Sequence, residues 1–325
     1  MWRKLWTYRR LPLLLIAEAT GLALLVIFVV GLATMPPIDL TPNPKSPIGY
    51  NIKVDTVQWK SAVTSYIKTV ESGTLGKSRR GQDVVPLVLE YLGRSLILLG
   101  LAWGLALVIG IIKGFWDFQS MRRKRVALGP MVTSAFAGMP DFWLVLMIQW
   151  AASWLWILFD FNAFKVSYDT NQPALSTVYP VIALSLIPLA HIARITASSM
   201  SNVYGKDYVR TARAKGVHEF LVVFKHALRN AVVQILDSLP GVMAATLSNL
   251  LIVEYMFNYP GLTRLLKEAV APQAVTAMGG GRVPTDVPVL VVAGLSLGLI
   301  FTLFYLLIRM ARRFADPRLK GRDAA

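Results

Sequence analysis

The segment with the most distinctive residue spacing runs from Asp207 to Gly216. The Asp207 carboxylate can accept hydrogen bonds from the first free amides of a short helix, and Gly216 suits the left-handed residue that ends one. Arg210 and Arg213 are three residues apart and would share a face of that helix, while Ala212 adds little bulk. The pattern predicts a basic helix of about two turns that can dock closely in a groove of another protein. A solvated helix whose charges only set membrane orientation fits the same spacing.

A second motif, Gly76-Lys77-Ser78, has the last three residues of a phosphate-binding loop, in which backbone amides cradle phosphates. The first glycine of that pattern would fall at position 71, which is Glu71. We therefore expect no nucleotide binding by this chain. If ATP drives the protein, another subunit must bind the nucleotide.

Ionisable residues inside or beside apolar stretches are the remaining candidates, because such groups are costly in a membrane and often functional. Glu18 lies within the first apolar run and is expected to be paired or to face water, with contact to a substrate amine or an interfacial position as the alternatives. Glu18 is therefore a candidate for the pathway, and Glu254 lies at an external end. Asp141 and Asp237 lie near cytoplasmic ends, where a helix cap or a basic partner is expected, and His191 is expected to be packed or capping.

The chain offers no pattern typical of catalysis. It has no cysteine and only three widely spaced histidines, which leaves no thiolate nucleophile and no metal-ligand spacing. The acidic residues named above do not form an acid–base pair by spacing. We therefore expect no catalytic residue, no metal site and no cofactor in this chain.

Composition places these residues in a membrane protein. Of 325 residues, 55% are hydrophobic and 16% are charged, whereas soluble domains carry about 25% charged residues. Six stretches approach the roughly 20 apolar residues needed to cross a bilayer. They are 11–35, 95–112, 142–159, 174–193, 231–253 and 287–308. The predicted fold class is an all-α polytopic membrane protein with about six transmembrane helices.

The third stretch is expected to begin near Phe142, after a break at Gly138-Met139-Pro140-Asp141, because proline removes a backbone donor and ends or kinks a helix. In the external loop after the first span, apolar residues at helical spacing near 55–71 predict a short helix.

The basic residues predict the orientation. Net charge is +16, from 34 Lys and Arg against 18 Asp and Glu. Most of the cations flank the N-terminus, the end of the second span, the connection between the fourth and fifth spans, and the C-terminus. Lys and Arg are retained on the cytoplasmic side of membrane proteins, so both termini are predicted to be cytoplasmic. We expect these basic residues to contact membrane lipid and not to bind nucleic acid.

This orientation divides the chain into four regions. Residues 1–35 would form the cytoplasmic N-terminus and first transmembrane helix, 36–94 an extracytoplasmic loop region, 95–310 a transmembrane core with a cytoplasmic loop at 196–230, and 311–325 a cytoplasmic tail.

The segment 207–216 resembles the coupling loop of the membrane-spanning permease subunits of ABC importers. That family's E-A-A-x-x-x-G pattern falls on Arg210, Thr211, Ala212 and Gly216, and the second alanine and the glycine are retained. Tyr208 to Gly216, followed by His226-Ala227-Leu228-Arg229-Asn230-Ala231, looks like the version used by dipeptide, oligopeptide and nickel importer permeases.

Further matches to that family occur in the same order along the chain, so the resemblance covers nearly all of it. They are Gly73-Thr74-Leu75-Gly76-Lys77-Ser78, Val253-Glu254 with Phe257 and Tyr259-Pro260-Gly261-Leu262, and Asp316-Pro317-Arg318-Leu319. Thr74 departs from the family, because an acidic residue is common at its position.

The resemblance implies a type I ABC importer permease in a bacterial or archaeal plasma membrane. Such a chain pairs with a second homologous permease subunit, here expected to form a heterodimer. It also binds two cytoplasmic ATP-binding subunits and receives substrate from an extracytoplasmic binding protein. ATP and Mg would be bound by the ATPase subunits, where hydrolysis would occur. Peptides are the expected cargo, with a nickel or other metal chelate, or another small solute, as the alternative.

The resemblance also implies roles for individual residues. The residues expected to contact the ATPase are Asp207, Tyr208, Arg210, Thr211, Ala212, Arg213, Ala214, Lys215 and Gly216. Glu254 matches a family position, so a gate or a structural contact is expected for it, and the family's C-terminal motif is Asp316, Pro317 and Arg318.

An ion-gradient-driven secondary transporter is the competing interpretation. Such a protein would be expected to show paired broken helices in corresponding halves of the chain, and the sequence has no such repeat.

Overall fold

The computed structural model describes residues 38–42, 50–54, 56–123, 129–159, 166–204, 206–216, 229–270 and 286–315. Within these ranges the chain forms nine α-helices and one pair of short strands. Five of the helices are long and apolar enough to cross a membrane. The predicted polytopic helical fold is confirmed. The expected first span, 11–35, lies outside the described residues.

The first described elements belong to the predicted external loop region. Strand β1 (Ile38–Pro42) pairs antiparallel with β2 (Tyr50–Val54), so that Ile38 lies opposite Val54. Helix α1 (Thr56–Glu71) follows and confirms the helix predicted near 55–71. The strand pair was not predicted, because the prolines of this region favour a loop. Pro42 takes the last position of a strand in a two-stranded pair, a place that proline tolerates.

Helix α2 (Val84–Arg122) has 39 residues and extends beyond both ends of the predicted apolar window at 95–112. Its first turns carry apolar residues such as Val84 and Val88, which are buried. Glu90 and Arg94, one helical turn apart, form an exposed ion pair at 2.6 Å. Spacing of this kind supports a helix outside the hydrocarbon layer, and for this reason α2 starts earlier than hydropathy alone indicates.

The predicted break before the third span is confirmed. Helix α3 (Pro130–Gly138) ends before Met139, which is extended at φ −76° and ψ 143°, and helix α4 (Asp141–Phe159) begins directly after Pro140. Proline at the first position of α3 is favourable, because the amide it lacks would have no partner within the helix.

The second half of the chain contains the remaining five helices. They are α5 (Pro173–Tyr204), α6 (Asp207–Ala214), α7 (Arg229–Met256), α8 (Leu262–Val270) and α9 (Val287–Ala315). Prolines lie inside two of them, Pro180 and Pro188 in α5 and Pro240 in α7. Neighbouring helices can satisfy the backbone groups that such prolines leave free in a membrane.

The chain divides into two compact units. One unit holds the described residues up to Arg94 together with Gly261–Leu299, and the other holds Ser95–Pro260 together with the described residues from Ile300 onward. The expected sites at 207–216 and Glu254 fall in the second unit.

Two glycines allow α2 and α5 to pack closely in the second unit. A Cβ atom added at Gly110 would lie 3.0 Å from the backbone oxygen of Leu189 and from the side chain of Ile192. At Gly114 it would lie 2.5 Å from the backbone oxygen of Ala193 and from Cβ of Thr196. Glycines four residues apart are a common way for membrane helices to bring their backbones together. This contact positions the ends of α2 and α5 that hold α6.

In the first unit, Arg79 ties the loop after α1 to the start of α9. Its amide donates a hydrogen bond of 2.8 Å to Oδ2 of Asp286, and its guanidinium donates one of 3.3 Å to the backbone oxygen of Ala269. The amide of Asp286 donates to the same Ala269 oxygen at 3.1 Å. Gly76-Lys77-Ser78 lies in this loop, where Lys77 forms an isolated β-bridge with Asp83.

Candidate functional site

Helix α6 has the predicted form, two turns ended by a left-handed glycine. Asp207 is its first residue, a favourable place for a carboxylate at the positive end of the helix dipole. Thr211 Oγ1 donates a hydrogen bond of 3.0 Å to the backbone oxygen of Asp207. After the helix, Lys215 N donates to the Thr211 oxygen at 3.1 Å, and Gly216 has φ +75°. Glycine takes this backbone conformation without the steric cost that a Cβ atom imposes.

One apolar residue of α6 is buried in a cluster that joins three helices. Val209 is fully buried and packs with Phe118 of α2 and with Ala197, Met200 and Val203 of α5. These five residues are called the anchor cluster below. Because Val209 lies in the first half of an eight-residue helix, the cluster holds α6 against the ends of α2 and α5.

Aromatic contacts close one side of the anchor cluster. The rings of Phe118 and Tyr204 meet edge to face at 5.4 Å between centroids. The guanidinium carbon of Arg122 lies 4.4 Å from the centroid of the Tyr204 ring, within the range of a cation–π interaction. The connection into α6 is also fixed, because Lys206 N donates a hydrogen bond of 3.1 Å to the backbone oxygen of Val203.

Apart from Val209, every residue from Lys206 to Gly216 whose side chain is described is exposed. The exposed residues are Lys206, Asp207, Thr211, Ala214, Lys215 and Gly216. The structure describes only the helical backbone of Tyr208, Arg210, Ala212 and Arg213. The site is therefore a short helix that is anchored on one side and exposes small and charged residues on the other.

Several predicted features lie outside the described residues. These are Glu18, the C-terminal motif Asp316, Pro317 and Arg318, and residues 217–228 of the expected cytoplasmic loop. Helix α7 begins at Arg229.

Glu254, the residue predicted to be a gate or a structural contact, is buried near the carboxyl end of α7. Its side chain is fully buried, and Oε1 accepts a hydrogen bond of 2.5 Å from the hydroxyl of the equally buried Ser95 on α2. A carboxylate in an apolar interior needs such a donor, because an unsatisfied buried polar group is costly. Of the two predicted roles, this geometry favours the structural contact.

The backbone of Glu254 also takes part in the end of α7. Its oxygen accepts a hydrogen bond of 2.9 Å from Tyr259 N, while Asn258 N donates one of 3.2 Å to the oxygen of Tyr255. Asn258 has φ +56°, the only positive φ among non-glycine residues in the described parts of the chain. This bonding pattern is the Schellman motif that commonly ends helices, with asparagine in the usual glycine position.

Other elements hold the same helix end. Gln149 Nε2 of α4 donates a hydrogen bond of 2.6 Å to the backbone oxygen of Met256, and Tyr168 N donates one of 2.9 Å to the oxygen of Phe257. The carboxyl end of α7 is thus joined to α2, α4 and the segment before α5.

Sequence reasoning missed a polar network between α2 and α3. Lys113 forms an ion pair with the buried Asp117, one turn further along α2. Lys113 Nζ also donates a hydrogen bond of 2.9 Å to Thr133 Oγ1, which in turn donates one to Asp117 Oδ2. The spacing of Lys113 and Asp117 could have signalled the ion pair, but the contribution of Thr133 depends on how α3 packs against α2.

The other predicted ionisable positions meet the expectations to different extents. Asp237 of α7 has the expected basic partner, Arg312 of α9, at 2.9 Å. Asp141 is the first residue of α4, the helix end at which a carboxylate is expected to act as a cap. His191 Nδ1 lies 3.2 Å from the guanidinium of Arg194, so this nitrogen accepts the hydrogen bond. In the parts of the chain that the structure describes, no group of three or more His, Asp or Glu could hold a metal ion.

The class of protein follows from this fold, this site and the sequence comparison. Residues 106–321 match the family described as the inner membrane component of binding-protein-dependent transport systems. The matched range covers α6, the anchor cluster and Glu254. The chain belongs to this family, which confirms the resemblance to ABC importer permeases and argues against the ion-gradient alternative.

Individual relatives make the placement within the family more specific. The chain is similar to the dipeptide transport system permease protein DppB of Alkalihalophilus pseudofirmus, at 29% identity over 78% of this chain and 80% of the relative. It is also similar to a putative peptide permease protein of Brucella ovis, at 31% identity over 76% of each chain. Among solved structures, it is similar to an amino acid ABC transporter crystallised with histidines, at 18% identity and a TM-score of 0.48, over 74% of this chain and 97% of that chain.

Proposed function

We propose that this chain is a permease subunit of an ATP-driven importer and forms half of a translocation pathway for dipeptides or oligopeptides. An extracytoplasmic binding protein would deliver the substrate, and ATP with Mg would be bound and hydrolysed in two separate cytoplasmic subunits. The names of the relatives, a dipeptide permease and a peptide permease, support peptide cargo. Import of a nickel or other metal chelate, or of another small solute, is the alternative with the same architecture.

The observation that carries the proposal is the combination of burial and exposure in α6. Val209 is fully buried in the anchor cluster. The side chains of Lys206, Asp207, Thr211, Ala214 and Lys215, together with Gly216, are exposed. A helix held in this way can receive force on its exposed side and pass it to the helices behind it. Closure of an ATPase dimer against α6 would therefore move the ends of α2 and α5, and this movement would alternate access to the pathway.

The wider assembly is part of the same proposal. Both termini and α6 would lie in the cytoplasm of a bacterial or archaeal cell, because basic residues flank these regions. The second permease subunit would be a distinct homologue, as in the family that the chain resembles. The cytoplasmic residues for ATPase contact would be Asp207, Tyr208 and those from Arg210 to Gly216, whereas the buried Val209 would not take part.

The first experiment tests ATPase contact with two matched glycines. Gly216 and Gly81 have nearly the same positive φ, +75° and +77°, and no atom lies within 4 Å of an added Cβ at either. Gly→Val at each position therefore imposes similar backbone strain, about 1–2 kcal/mol. We expect Gly216→Val to reduce co-purification of the ATPase subunits and Gly81→Val to leave it unchanged. Equal co-purification of both variants would contradict contact through α6.

The second experiment tests whether the anchor cluster transmits force. Val209→Ala removes two buried methyl groups, whereas Val178→Ala makes the same change at an exposed position of α5. We expect Val209→Ala to lower the amount of peptide transported per ATP hydrolysed, while the ATPase subunits remain bound. Val178→Ala should keep the wild-type ratio. A normal ratio in the Val209 variant would show that α6 does not act through this cluster.

The third experiment identifies the cargo. The complete transporter is reconstituted in liposomes with its binding protein, and uptake of labelled dipeptides, longer peptides and a nickel chelate is compared. ATP-dependent uptake of a peptide would support the proposal. Uptake of the nickel chelate alone would establish the alternative cargo and leave the permease assignment intact.

A further inference from the structure

A cavity of about 290 Å³ opens between α2, α3 and α5, beside the anchor cluster. Seven of its ten lining residues are polar. They are Asp117 of α2, Thr133 and Ser134 of α3, and Arg194, Ser198, Ser201 and Asn202 of α5. Ala197, a member of the anchor cluster, also lines the cavity.

The cavity carries a net positive charge. Its carboxylate, Asp117, is neutralised by the ion pair with Lys113, and its second oxygen accepts the Thr133 hydroxyl. Arg194 is exposed, and its partner among the described residues is the uncharged acceptor Nδ1 of His191. A guanidinium has five N–H donors, so most of the donors of Arg194 remain for a ligand.

Several neutral donors face the same space. The hydroxyls of Ser134, Ser198 and Ser201 and the amide of Asn202 line the cavity. None of the four makes a hydrogen bond to another residue within the described ranges. On α5, Arg194, Ser198, Ser201 and Asn202 recur at helical spacing and form one face. A cavity with one cation and several hydroxyl and amide donors suits an oxyanion with many acceptor atoms.

The position along the helices indicates the depth of the cavity in a membrane. Residues 95–112 and 174–193 contain no Asp, Glu, Lys or Arg, and Lys113 and Arg194 are the first cations after them. These two residues therefore mark the level at which α2 and α5 leave the hydrocarbon layer. Lipid phosphates lie at this level, and basic pockets between membrane helices on the cytoplasmic side bind lipid head groups.

We propose that this cavity binds a phosphate oxyanion, supplied by the head group of an anionic phospholipid in the adjoining leaflet. The Arg194 guanidinium would contact the phosphate, and the serine hydroxyls would donate to its remaining oxygens. Because Ala197 belongs to both the cavity wall and the anchor cluster, a bound head group would brace the helix ends that hold α6.

The direct test counts lipids bound to the purified transporter complex. After removal of native lipid, the complex is titrated with phosphatidylglycerol or phosphatidylcholine and examined by native mass spectrometry. We expect selective retention of phosphatidylglycerol. Arg194→Gln should weaken that retention by about fivefold, the effect of losing one basic residue near a membrane surface.

Arg123→Gln is the matched control, because Arg123 is exposed near the end of α2 and does not line the cavity. Equal retention by the two variants would overturn the proposal.

A second arm separates lipid from free phosphate. Equilibrium dialysis with labelled inorganic phosphate measures whether the delipidated complex binds the free ion at millimolar concentration. We expect no saturable binding that depends on Arg194, because the free ion lacks the acyl chains whose burial beside the cavity adds to the affinity of a lipid. Saturable phosphate binding that Arg194→Gln abolishes, together with no preference for phosphatidylglycerol, would overturn the lipid assignment and identify free phosphate as the ligand.

Discussion

The hydroxyl of Ser95 on α2 donates a hydrogen bond of 2.5 Å to Glu254 on α7, and both side chains are fully buried. The same glutamate supplies the backbone acceptor that ends α7, through Tyr259 N. One residue thus joins two long helices by its side chain and shapes the turn after one of them by its backbone. The family resemblance singles out Glu254, and this contact gives a structural reason for a glutamate at this position.

Removing the Ser95 hydroxyl should weaken the joint between α2 and α7. We expect Ser95→Ala to lower the free energy of unfolding by about 1 kcal/mol, because a hydrogen bond to a buried carboxylate is lost. Ser248→Ala is the control on α7, since that hydroxyl is exposed and bonds to Ala244 of its own helix. Thermal unfolding of the purified proteins measures both. A Ser95 variant no less stable than the Ser248 variant would contradict this assignment.

Adding one methyl group to α2 should have opposite effects at two glycines. At Gly114 the new Cβ would lie 2.5 Å from the backbone of α5, whereas at Gly104 no atom lies within 4 Å. We expect Gly114→Ala to destabilise the protein by about 1–3 kcal/mol through overpacking. Gly104→Ala should be neutral or stabilising by up to about 1 kcal/mol, because alanine favours helix. The difference between their unfolding temperatures measures the closeness of α2 and α5. Equal temperatures would show that the two helices are further apart.

The turn after α7 should tolerate glycine and reject a β-branched residue. Asn258 has φ +56°, a conformation that costs L-residues about 1–2 kcal/mol unless the side chain is absent or can bond locally. We therefore expect Asn258→Val to lower the unfolding temperature and Asn258→Gly to change it much less. If the two variants behave alike, the residue does not hold this conformation in the protein.

Alkaline stability should depend on Tyr66 of α1. Burial raises the pKa of the Tyr66 phenol above its ordinary value, and the hydroxyl has no hydrogen-bond partner among the described residues. The folded protein therefore holds this proton more tightly than the unfolded chain, for which the pKa is about 10. The stabilisation is complete below that pH and is lost as pH rises through 10 towards the folded pKa.

The matching variant is Tyr66→Phe, measured by thermal unfolding across pH. We expect it to be at least as stable as the wild type between pH 7 and 9, because an unsatisfied buried hydroxyl is removed. Above pH 10 its stability should fall less steeply than that of the wild type. Identical pH curves would show that Tyr66 does not titrate with unfolding.

Most helices of this protein can be predicted from the sequence, because their positions depend on nearby residues such as long apolar stretches and Pro140. The length of α6 can be predicted for the same reason, since Gly216 sets its end. Contacts between residues that are distant in the sequence cannot be predicted in this way. Nothing near Val209 indicates that it packs with Phe118 and Met200. A basic partner could be expected for Asp237, but only the packing of α7 with α9 selects Arg312.

The helices behind the anchor cluster differ in their proline content. From Ser95 to Arg122, α2 contains no proline, whereas α5 contains Pro180 and Pro188. Ser95 and Phe118 are separated by about 35 Å along α2, at ~1.5 Å per residue. We therefore expect α2 to transmit motion between the anchor cluster and Glu254 with little bending, and α5 to bend at its prolines. A tilt imposed at Phe118 would reach Ser95 as a rigid displacement, while the same motion in α5 would be absorbed as bending.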